Sequence, residues 1–172
     1  MRTFSPVRLN HAVLFVADLA RSVDFYTEVF GMQVVAREPR ADAAFLRLPR
    51  GDNHHDLGLF GVGTAGGPRQ RGAIGLYHLA WQVDTIDELV EARQALLEAN
   101  ALTGESSHGA TKSLYGADPD GNEFEMMWML PRDEWGAYEN TAPIERLDLA
   151  AEVERWSGVP TAGHIEVDTT PP

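Results

Sequence analysis

The sequence repeats itself at a spacing of 67 residues, from position 11 to position 78. The apolar run 9–16 (LNHAVLFV) aligns with the run 76–83 (LYHLAWQV), and each has a histidine as its third residue, His11 and His78. Short apolar runs of this kind are typical of strands buried on both faces. The repeat therefore predicts two similar structural units rather than one irregular domain.

A helical pattern follows each apolar run at the same interval. The first predicted helix begins after Asp18, whose carboxylate can accept backbone N–H bonds, and stops at Gly31. The second begins at Thr85, which forms a capping box with Glu88 and precedes a helix ending near Asn100. Further strands are predicted at 33–37, 43–48, 56–60, 112–117 and 123–129.

These elements predict an α+β fold of two tandem βαβββ modules, about 8–60 and 74–130. Because one module leaves a sheet face uncovered, we expect the pair to close into one curved, barrel-like mixed sheet within a domain spanning 1–131. The glycine-rich segment 61–72 is predicted to be an irregular linker. Residues 132–172 are predicted to be a helical extension, with a helix near 144–156 and a mobile tail.

Composition narrows the possible functions. Hydrophobic residues make up 44% of the 172 residues, enough for a packed core, and the formal net charge is −12. An acidic surface repels phosphate backbones and anionic lipid, which argues against nucleic-acid or membrane binding. There is no cysteine, so a metal would have to be held by His, Asp or Glu. With no signal-peptide pattern and no apolar run of about 18 residues, we expect a cytoplasmic protein.

Three residues are candidate metal ligands. His11 and His78 hold equivalent positions in apolar strands, where an imidazole without a partner would be costly to bury. Glu125 lies between Phe124 and Met126 in a predicted strand and needs a cation or solvent. The alternatives are that the histidines are ordinary core residues with hydrogen-bond partners, and that Glu125 lines a solvated face.

Three segments together resemble a known family. They are LNHAVLFVADLARSVDFYTEVFGM, GLYHLAWQVDTIDELVEAR and SLYGADPDGNEFEMMW. The chain from about residue 7 to 130 resembles the vicinal oxygen chelate superfamily, and within it the extradiol ring-cleavage dioxygenases. That resemblance implies a metal bound by His11, His78 and Glu125. Two imidazoles and one carboxylate form the facial triad typical of non-haem Fe(II) oxygenases, and Mn(II) also suits these ligands.

The same resemblance implies roles for three further residues. His55, in HHDLGLF, matches an acid/base histidine near the dioxygen position, whereas without the resemblance it would be a polar residue at a loop end. Tyr115 matches a tyrosine that hydrogen-bonds the substrate, and His108 matches a histidine on the substrate side. The alternatives for this pair are a packed strand aromatic and an exposed loop histidine.

Other members of the resembled superfamily offer different functions. Glyoxalase-type isomerases use a fourth ligand in the first module, and the position equivalent to Glu125 is Gly58, with Asp56 two residues away. Thiol transferases that inactivate antibiotics share a His, His, Glu triad, and drug-sequestering proteins of this fold need no metal. The presence of all three ligands argues against the metal-free protein, and the resemblance at His55 and Tyr115 leads us to expect an extradiol-type dioxygenase that takes a small aromatic diol and O2.

A homodimer is also expected from the sequence. The apolar residues Trp135, Tyr138 and Trp156 follow the second module and need a surface to cover.

Overall fold

The computed structural model describes residues 5–67, 70 and 72–163. The chain divides into two compact units, Met1–Pro68 and Arg69–Pro172. Unit 1 contains β1 (Ala12–Val16), α1 (Leu19–Phe30), β2 (Gln33–Glu38), β3 (Ala43–Arg47) and β4 (Leu57–Gly61). Unit 2 contains β5 (Leu79–Gln82), α2 (Ile86–Glu98), β6 (Leu102–Ser107), β7 (Thr111–Ala117), β8 (Glu123–Met129) and α3 (Leu149–Trp156). No helix in the described part of the chain is long and apolar enough to cross a membrane.

Unit 1 is a four-stranded sheet with one helix. The strand order is β1-β4-β3-β2, with β1 parallel to β4 and the other pairs antiparallel. The helix α1 begins where the Asp18 side chain accepts the N–H of Arg21, and it ends at Gly31, whose φ of 65° is left-handed. Val23 and Tyr26 are the apolar residues that α1 buries. The helix boundaries are therefore as the sequence predicts.

Unit 2 repeats this arrangement with the order β5-β8-β7-β6. Thr85 caps α2 by accepting the N–H of Glu88, and the Glu88 carboxylate accepts the N–H of Asp84. Ile86, Leu89 and Leu96 face the core and are fully buried. Here too the predicted capping residues determine where the helix begins.

The strand register shows how closely the units correspond. Ala12 pairs with Leu57 in unit 1, and Leu79 pairs with Phe124 in unit 2, which is the same pairing displaced by the repeat. Each unit also has an irregularity between its second and third strands. The predicted α+β fold of two βαβββ modules is confirmed. The described strands form two sheets of four, one in each unit, instead of the single continuous sheet that we expected, because every ladder connects strands of the same unit.

Both histidine-bearing strands begin later than predicted. β1 begins at Ala12 and β5 at Leu79, so His11 and His78 immediately precede their strands and are not third residues within them. For β1 the reason is the length of its partner strand, since β4 begins only at Leu57, opposite Ala12. A residue without a partner to pair with does not join the ladder.

The connecting segments also differ from prediction. The linker 61–72 contains a short 3₁₀ helix, Gly63–Gly66, where irregular structure was expected. α3 begins at Leu149 and not near residue 144, because Asp148 caps it by accepting the N–H of Ala151, while Glu145 bridges to Ser107. The sequence patterns also missed β6. The part of the predicted mobile tail from residue 164 onwards lies outside the described residues.

Candidate metal centre

In unit 2, two of the three predicted ligands face each other. His78 Nε2 lies 3.1 Å from Glu125 Oε2. β5 and β8 are adjacent parallel strands with Ala80 opposite Glu125, so His78, two residues before Ala80, lies diagonally across from Glu125. Glu125 is only 9% exposed, so its carboxylate needs a positive or hydrogen-bonding partner.

The separation of these two atoms suits a shared cation. Two donors at right angles on one divalent metal, each about 2.1 Å away, lie about 3 Å apart. The observed 3.1 Å agrees with that arrangement. An imidazole nitrogen and a carboxylate oxygen are also ligands that Fe(II) and Mn(II) accept. The residues present therefore fit a metal of this class.

Tyr115 and His108 form a hydrogen-bonded pair in the same unit. Tyr115 lies opposite Glu125 in the β7–β8 ladder, and its hydroxyl is 2.8 Å from His108 Nε2. His108 Nδ1 donates to the carbonyl oxygen of Pro143 at 2.8 Å, so in the neutral ring Nε2 is an acceptor. The hydroxyls of Tyr115 and of Ser106, the latter 2.9 Å away, both lie where they can donate to Nε2. The structure thus groups Tyr115, His108, His78 and Glu125.

Burial raises the pKa of Tyr115 above its ordinary value of 10.0, with a smaller contribution in the same direction from the Glu125 carboxylate. A hydrogen bond with Ser106 opposes the shift. The phenol therefore keeps its proton at neutral pH and stays able to donate to His108. The sequence did not indicate Ser106 or Pro143, because the first contact depends on the pairing of β6 with β7 and the second on the path of the chain after β8.

In unit 1, the other two predicted histidines stack together. The ring centroids of His11 and His55 are 4.5 Å apart, and Phe45 packs edge-on against His55 at 5.1 Å. Nδ1 of His55 lies 3.0 Å from Nδ1 of His54. Burial lowers the pKa of His55, and the neighbouring His11 and His54 lower it further, while Asp56 acts in the opposite direction.

Asp56 and Gly58 occupy the positions from which a fourth metal ligand of the isomerase type would come. Asp56 Oδ2 accepts the N–H of Leu48 at 2.7 Å, and Oδ1 accepts from Asn53 at 3.3 Å. Both carboxylate oxygens therefore stabilise the loop that precedes β4. A Cβ at Gly58 would lie 3.3 Å from Val13 and 3.5 Å from Phe45, so a larger side chain there would have to displace neighbours. Neither position offers a free carboxylate.

Within residues 5–67, 70 and 72–163, no three His, Asp or Glu side chains are grouped closely enough to hold a metal ion. His78 and Glu125 meet in unit 2, and His11 belongs to unit 1. The complete triad remains a proposal. Asn10 hydrogen-bonds His11, and Asn53 hydrogen-bonds Asn10. Neither asparagine was predicted from the sequence. The only signal in the sequence was that Asn10 directly precedes His11.

The fold and its donor residues define a class of α+β proteins built from repeated βαβββ modules, with a histidine just before the first strand of each module and a glutamate on the last strand of the second. The chain belongs to the Glyoxalase/Bleomycin resistance protein/Dioxygenase superfamily, whose family model matches residues 8–126. This family is the one that the motifs resemble.

Several curated relatives are similar to the chain. A catechol-2,3-dioxygenase of Bacillus subtilis (strain 168) is 31% identical over 92% of this chain and 58% of its own length. A biphenyl-2,3-diol 1,2-dioxygenase 3 of Rhodococcus globerulus is 35% identical over 69% of this chain and 62% of its own length. A lactoylglutathione lyase of Escherichia coli O157:H7 is 29% identical over 70% of this chain and 92% of its own length. The chain thus spans about six-tenths of the two dioxygenases.

Solved structures share the fold. A glyoxalase/dioxygenase from Nostoc punctiforme superposes with a TM-score of 0.63 at 19% identity, covering 76% of this chain and 98% of that one. A fosfomycin resistance protein from Listeria monocytogenes gives 0.56 at 19% identity, covering 72% and 93%. At these identities the likeness concerns the fold alone.

Proposed function

We propose that the chain is an extradiol-type dioxygenase that uses Fe(II) and O2 to cleave the ring of a catechol-like substrate beside its two hydroxyls. The observation that carries the proposal is the donor set. It combines the His78–Glu125 pair with Gly58 at the position of a fourth ligand and with an engaged Asp56. The names of the two dioxygenase relatives support the same reaction class.

Three residues would hold the metal: His11, His78 and Glu125. With three protein ligands, about three coordination positions stay open. When bound, the ferrous ion would bring the two vicinal oxygens of the substrate and dioxygen into contact and transfer charge between them. Mn(II) fits the same ligands and is the alternative metal.

The Tyr115–His108 pair would orient the substrate. With its proton directed to His108 Nε2, the phenol oxygen of Tyr115, which also hydrogen-bonds Ser106, would keep a lone pair to accept from a substrate hydroxyl. The carbonyl oxygen of Pro143 holds the His108 ring through Nδ1. The pair therefore offers a fixed acceptor beside Glu125.

His55 would move a proton during the reaction. Its Nδ1 is engaged with His54, so Nε2 is the ring atom that would exchange a proton with the substrate. The lowered pKa of His55 favours the neutral ring, which can first accept a proton and then return it. Phe45 and His11 pack against the ring and restrict its rotation.

The other family activities make different demands. An isomerase of the lactoylglutathione lyase type would need a fourth ligand, and Asp56 would have to give up its bond to the Leu48 N–H to provide one. Thiol transfer to an antibiotic is compatible with the triad, so only a substrate test distinguishes this activity from diol cleavage. A metal-free binding protein would leave Glu125 buried beside His78 without a function for the pair.

The test is a turnover assay on the protein loaded with Fe(II) without oxygen. Catechol and biphenyl-2,3-diol are added, oxygen is admitted, and the yellow ring-opened product is followed by absorbance together with oxygen uptake. We expect cleavage of at least one diol, with one O2 consumed per ring opened.

Methylglyoxal with glutathione, and fosfomycin with a thiol, serve as competing substrates in the same assay. Turnover of either, without diol cleavage, would transfer the assignment to the isomerase or the transferase. Protein that retains no metal and cleaves no diol would support the binding-protein alternative.

A further inference from the structure

The orientation of the Asn53 side chain is determined by backbone groups on both sides. Its Oδ1 accepts the N–H of His54 at 3.0 Å, and its Nδ2 donates to the carbonyl oxygen of Asn10 at 2.8 Å. A backbone N–H can only donate and a carbonyl oxygen can only accept, so the amide cannot be reversed. The Asp56 carboxylate, which also only accepts, receives a second bond from Nδ2 at 3.3 Å.

This orientation determines that of Asn10 in turn. Asn53 Oδ1 is an acceptor, so the Asn10 atom 3.1 Å from it must be the donor Nδ2. The remaining atom of the Asn10 amide, Oδ1, then faces His11 Nδ1 at 2.9 Å. Because that oxygen only accepts, Nδ1 of His11 must carry the proton.

We propose that Asn53 and Asn10 are positioning residues that hold His11 in the tautomer with its proton on Nδ1, leaving the lone pair on Nε2 for a divalent metal. A metal-ligating histidine needs this lone pair, and the bond made by its other ring nitrogen selects the tautomer. The role of His11 as a ligand rests on the proposed function, whereas its tautomer does not.

The same two amides connect His11 to the residue proposed to move protons. Asn53 and His55 belong to one loop, and Asn53 ties that loop to the backbone of Asn10, beside His11. The His11 and His55 rings stack at 4.5 Å. Asn53 therefore orients the Asn10 amide that selects the His11 tautomer, and it also ties the loop carrying His55 to the backbone beside His11.

In the described part of unit 2, no asparagine holds the equivalent histidine, so His78 can be compared with His11. The residue equivalent to Asn10 is Tyr77, and its phenol cannot supply an amide oxygen. Among the described residues, Nδ1 of His78 is buried without a hydrogen-bond partner. The control of tautomer by asparagine is thus specific to His11.

The primary experiment measures the tautomer of His11 in the metal-free protein. Long-range ¹H–¹⁵N spectra of the imidazoles distinguish protonated from unprotonated nitrogens, and His11→Gln assigns the signal. In the parent protein we expect a protonated Nδ1 and a bare Nε2. Asn10→Ala should move a substantial fraction of the proton to Nε2, and Asn53→Ala should act in the same direction.

Two further variants make this test specific. Asn10→Asp gives up the bond donated to Asn53 Oδ1 but keeps an oxygen acceptor for His11, so it should retain the parent tautomer. Gln94→Ala removes an exposed amide that bonds Glu98 on α2, and it should leave the His11 signal unchanged. The proposal is overturned if Asn10→Ala and the parent protein show the same tautomer, or if Gln94→Ala shifts the signal as much as Asn10→Ala does.

Binding of Mn(II) alone, measured from the free-ion EPR signal, is the second readout. Asn10→Ala should raise the dissociation constant roughly 10-fold or more, and Asn10→Asp should restore tight binding. An unchanged constant in Asn10→Ala would overturn the link to metal binding. If the parent protein binds no Mn(II) and cleaves no diol, the proposed function fails, and the NMR result still decides whether the asparagines set the tautomer.

Discussion

His11 and His78 stand at equivalent positions in the repeat, yet their side chains have different surroundings. His11 bonds Asn10 through Nδ1 and stacks on His55, while His78 uses Nε2 to contact Glu125. A repeated residue type therefore does not imply a repeated environment. The difference comes from side chains that the two repeats do not share. Asn10 of unit 1 is replaced by Tyr77 in unit 2, and Gly58 by Glu125.

The first residue-scale prediction concerns metal content. His78→Ala and Glu125→Ala should each lower bound Fe(II) or Mn(II) well below one per chain, because a three-ligand chelate loses most of its affinity when one ligand is removed. Metal analysis after desalting gives the measurement, and His54→Gln, an exposed neighbour of the site, is the control. Folded variants with full occupancy would mean that the metal binds elsewhere.

The second prediction concerns His55. Because a proton-transferring group acts in the transition state and not in metal binding, His55→Gln should reduce kcat about 10²–10⁴-fold while the metal content stays nearly unchanged. Gln94→Ala, which removes an exposed amide on α2, is the control. Turnover of His55→Gln at the parent rate would make His55 a bystander, and loss of metal would make it a ligand.

The third prediction follows from the raised pKa of Tyr115. In the folded protein the phenol keeps its proton to higher pH than in the unfolded chain, so its contribution to stability is complete below about pH 10 and is lost as pH rises through the folded pKa. Urea unfolding at pH 9, 10 and 11 should show a steeper decline for the parent protein than for Tyr115→Phe. Parallel declines would contradict it.

At the scale of the elements, α3 is fastened to the sheet of unit 2 by an ion pair. Lys112 Nζ on β7 lies 2.6 Å from Glu152 Oε1 on α3, and it also donates to Ser107 Oγ at 3.1 Å. The Lys112 side chain is only 8% exposed and that of Glu152 is 21% exposed. A second contact joins the helices, since Asp87 on α2 accepts the N–H of Gly158 and the hydroxyl of Ser157.

The fourth prediction uses this ion pair. Glu152→Ala leaves a buried ammonium with Ser107 as its remaining partner, and it should lower the free energy of unfolding by about 2–4 kcal/mol. The double variant Lys112→Met with Glu152→Leu removes both charges and should recover most of that loss. Chemical denaturation measures both. A double variant as unstable as Glu152→Ala would show that packing, and not the unpaired charge, dominates.

At the scale of the whole molecule, the aromatic residues that suggested a dimer are largely covered within the chain. Trp135 Nε1 donates to the carbonyl oxygen of Leu130, and the Trp156 ring lies 6.0 Å from that of Trp128. Tyr138 is 39% exposed. On β1, the apolar side chains of Phe15 and Val13 are 72% and 50% exposed.

The fifth prediction is that these β1 residues contact a second copy of the chain. Light scattering on a sizing column should give a mass near twice 18.9 kDa, and Phe15→Gln should shift the equilibrium toward monomer, because burying a Phe contributes about 1.5–3 kcal/mol. Leu97→Gln, on the exposed surface of α2, is the control. A parent protein that is monomeric at every concentration measured would contradict the dimer.

Elements with local signals were predictable from the amino-acid sequence. Asp18 caps α1 and Thr85 caps α2 through bonds to residues three positions away, so the helix boundaries were readable from spacing. The repeat predicted the paired modules because aligned apolar runs fold into aligned strands. The repeat also indicated His11 and His78 as equivalent residues. The strand pairing in the structure was needed to show that both residues precede their strands.

The contacts between distant side chains depend on the tertiary fold. Asn10 and Asn53 are 43 positions apart, and His108 and Pro143 are 35 apart, so no local pattern could report these bonds. The placement of Asp56 against the Leu48 N–H, which leaves it unable to act as a ligand without breaking that bond, likewise became visible only once the loop had folded. The physical reason is that local spacing specifies which backbone groups are paired within a helix or turn, whereas the direction of a hydrogen bond between distant side chains depends on how the strands and loops bring them together.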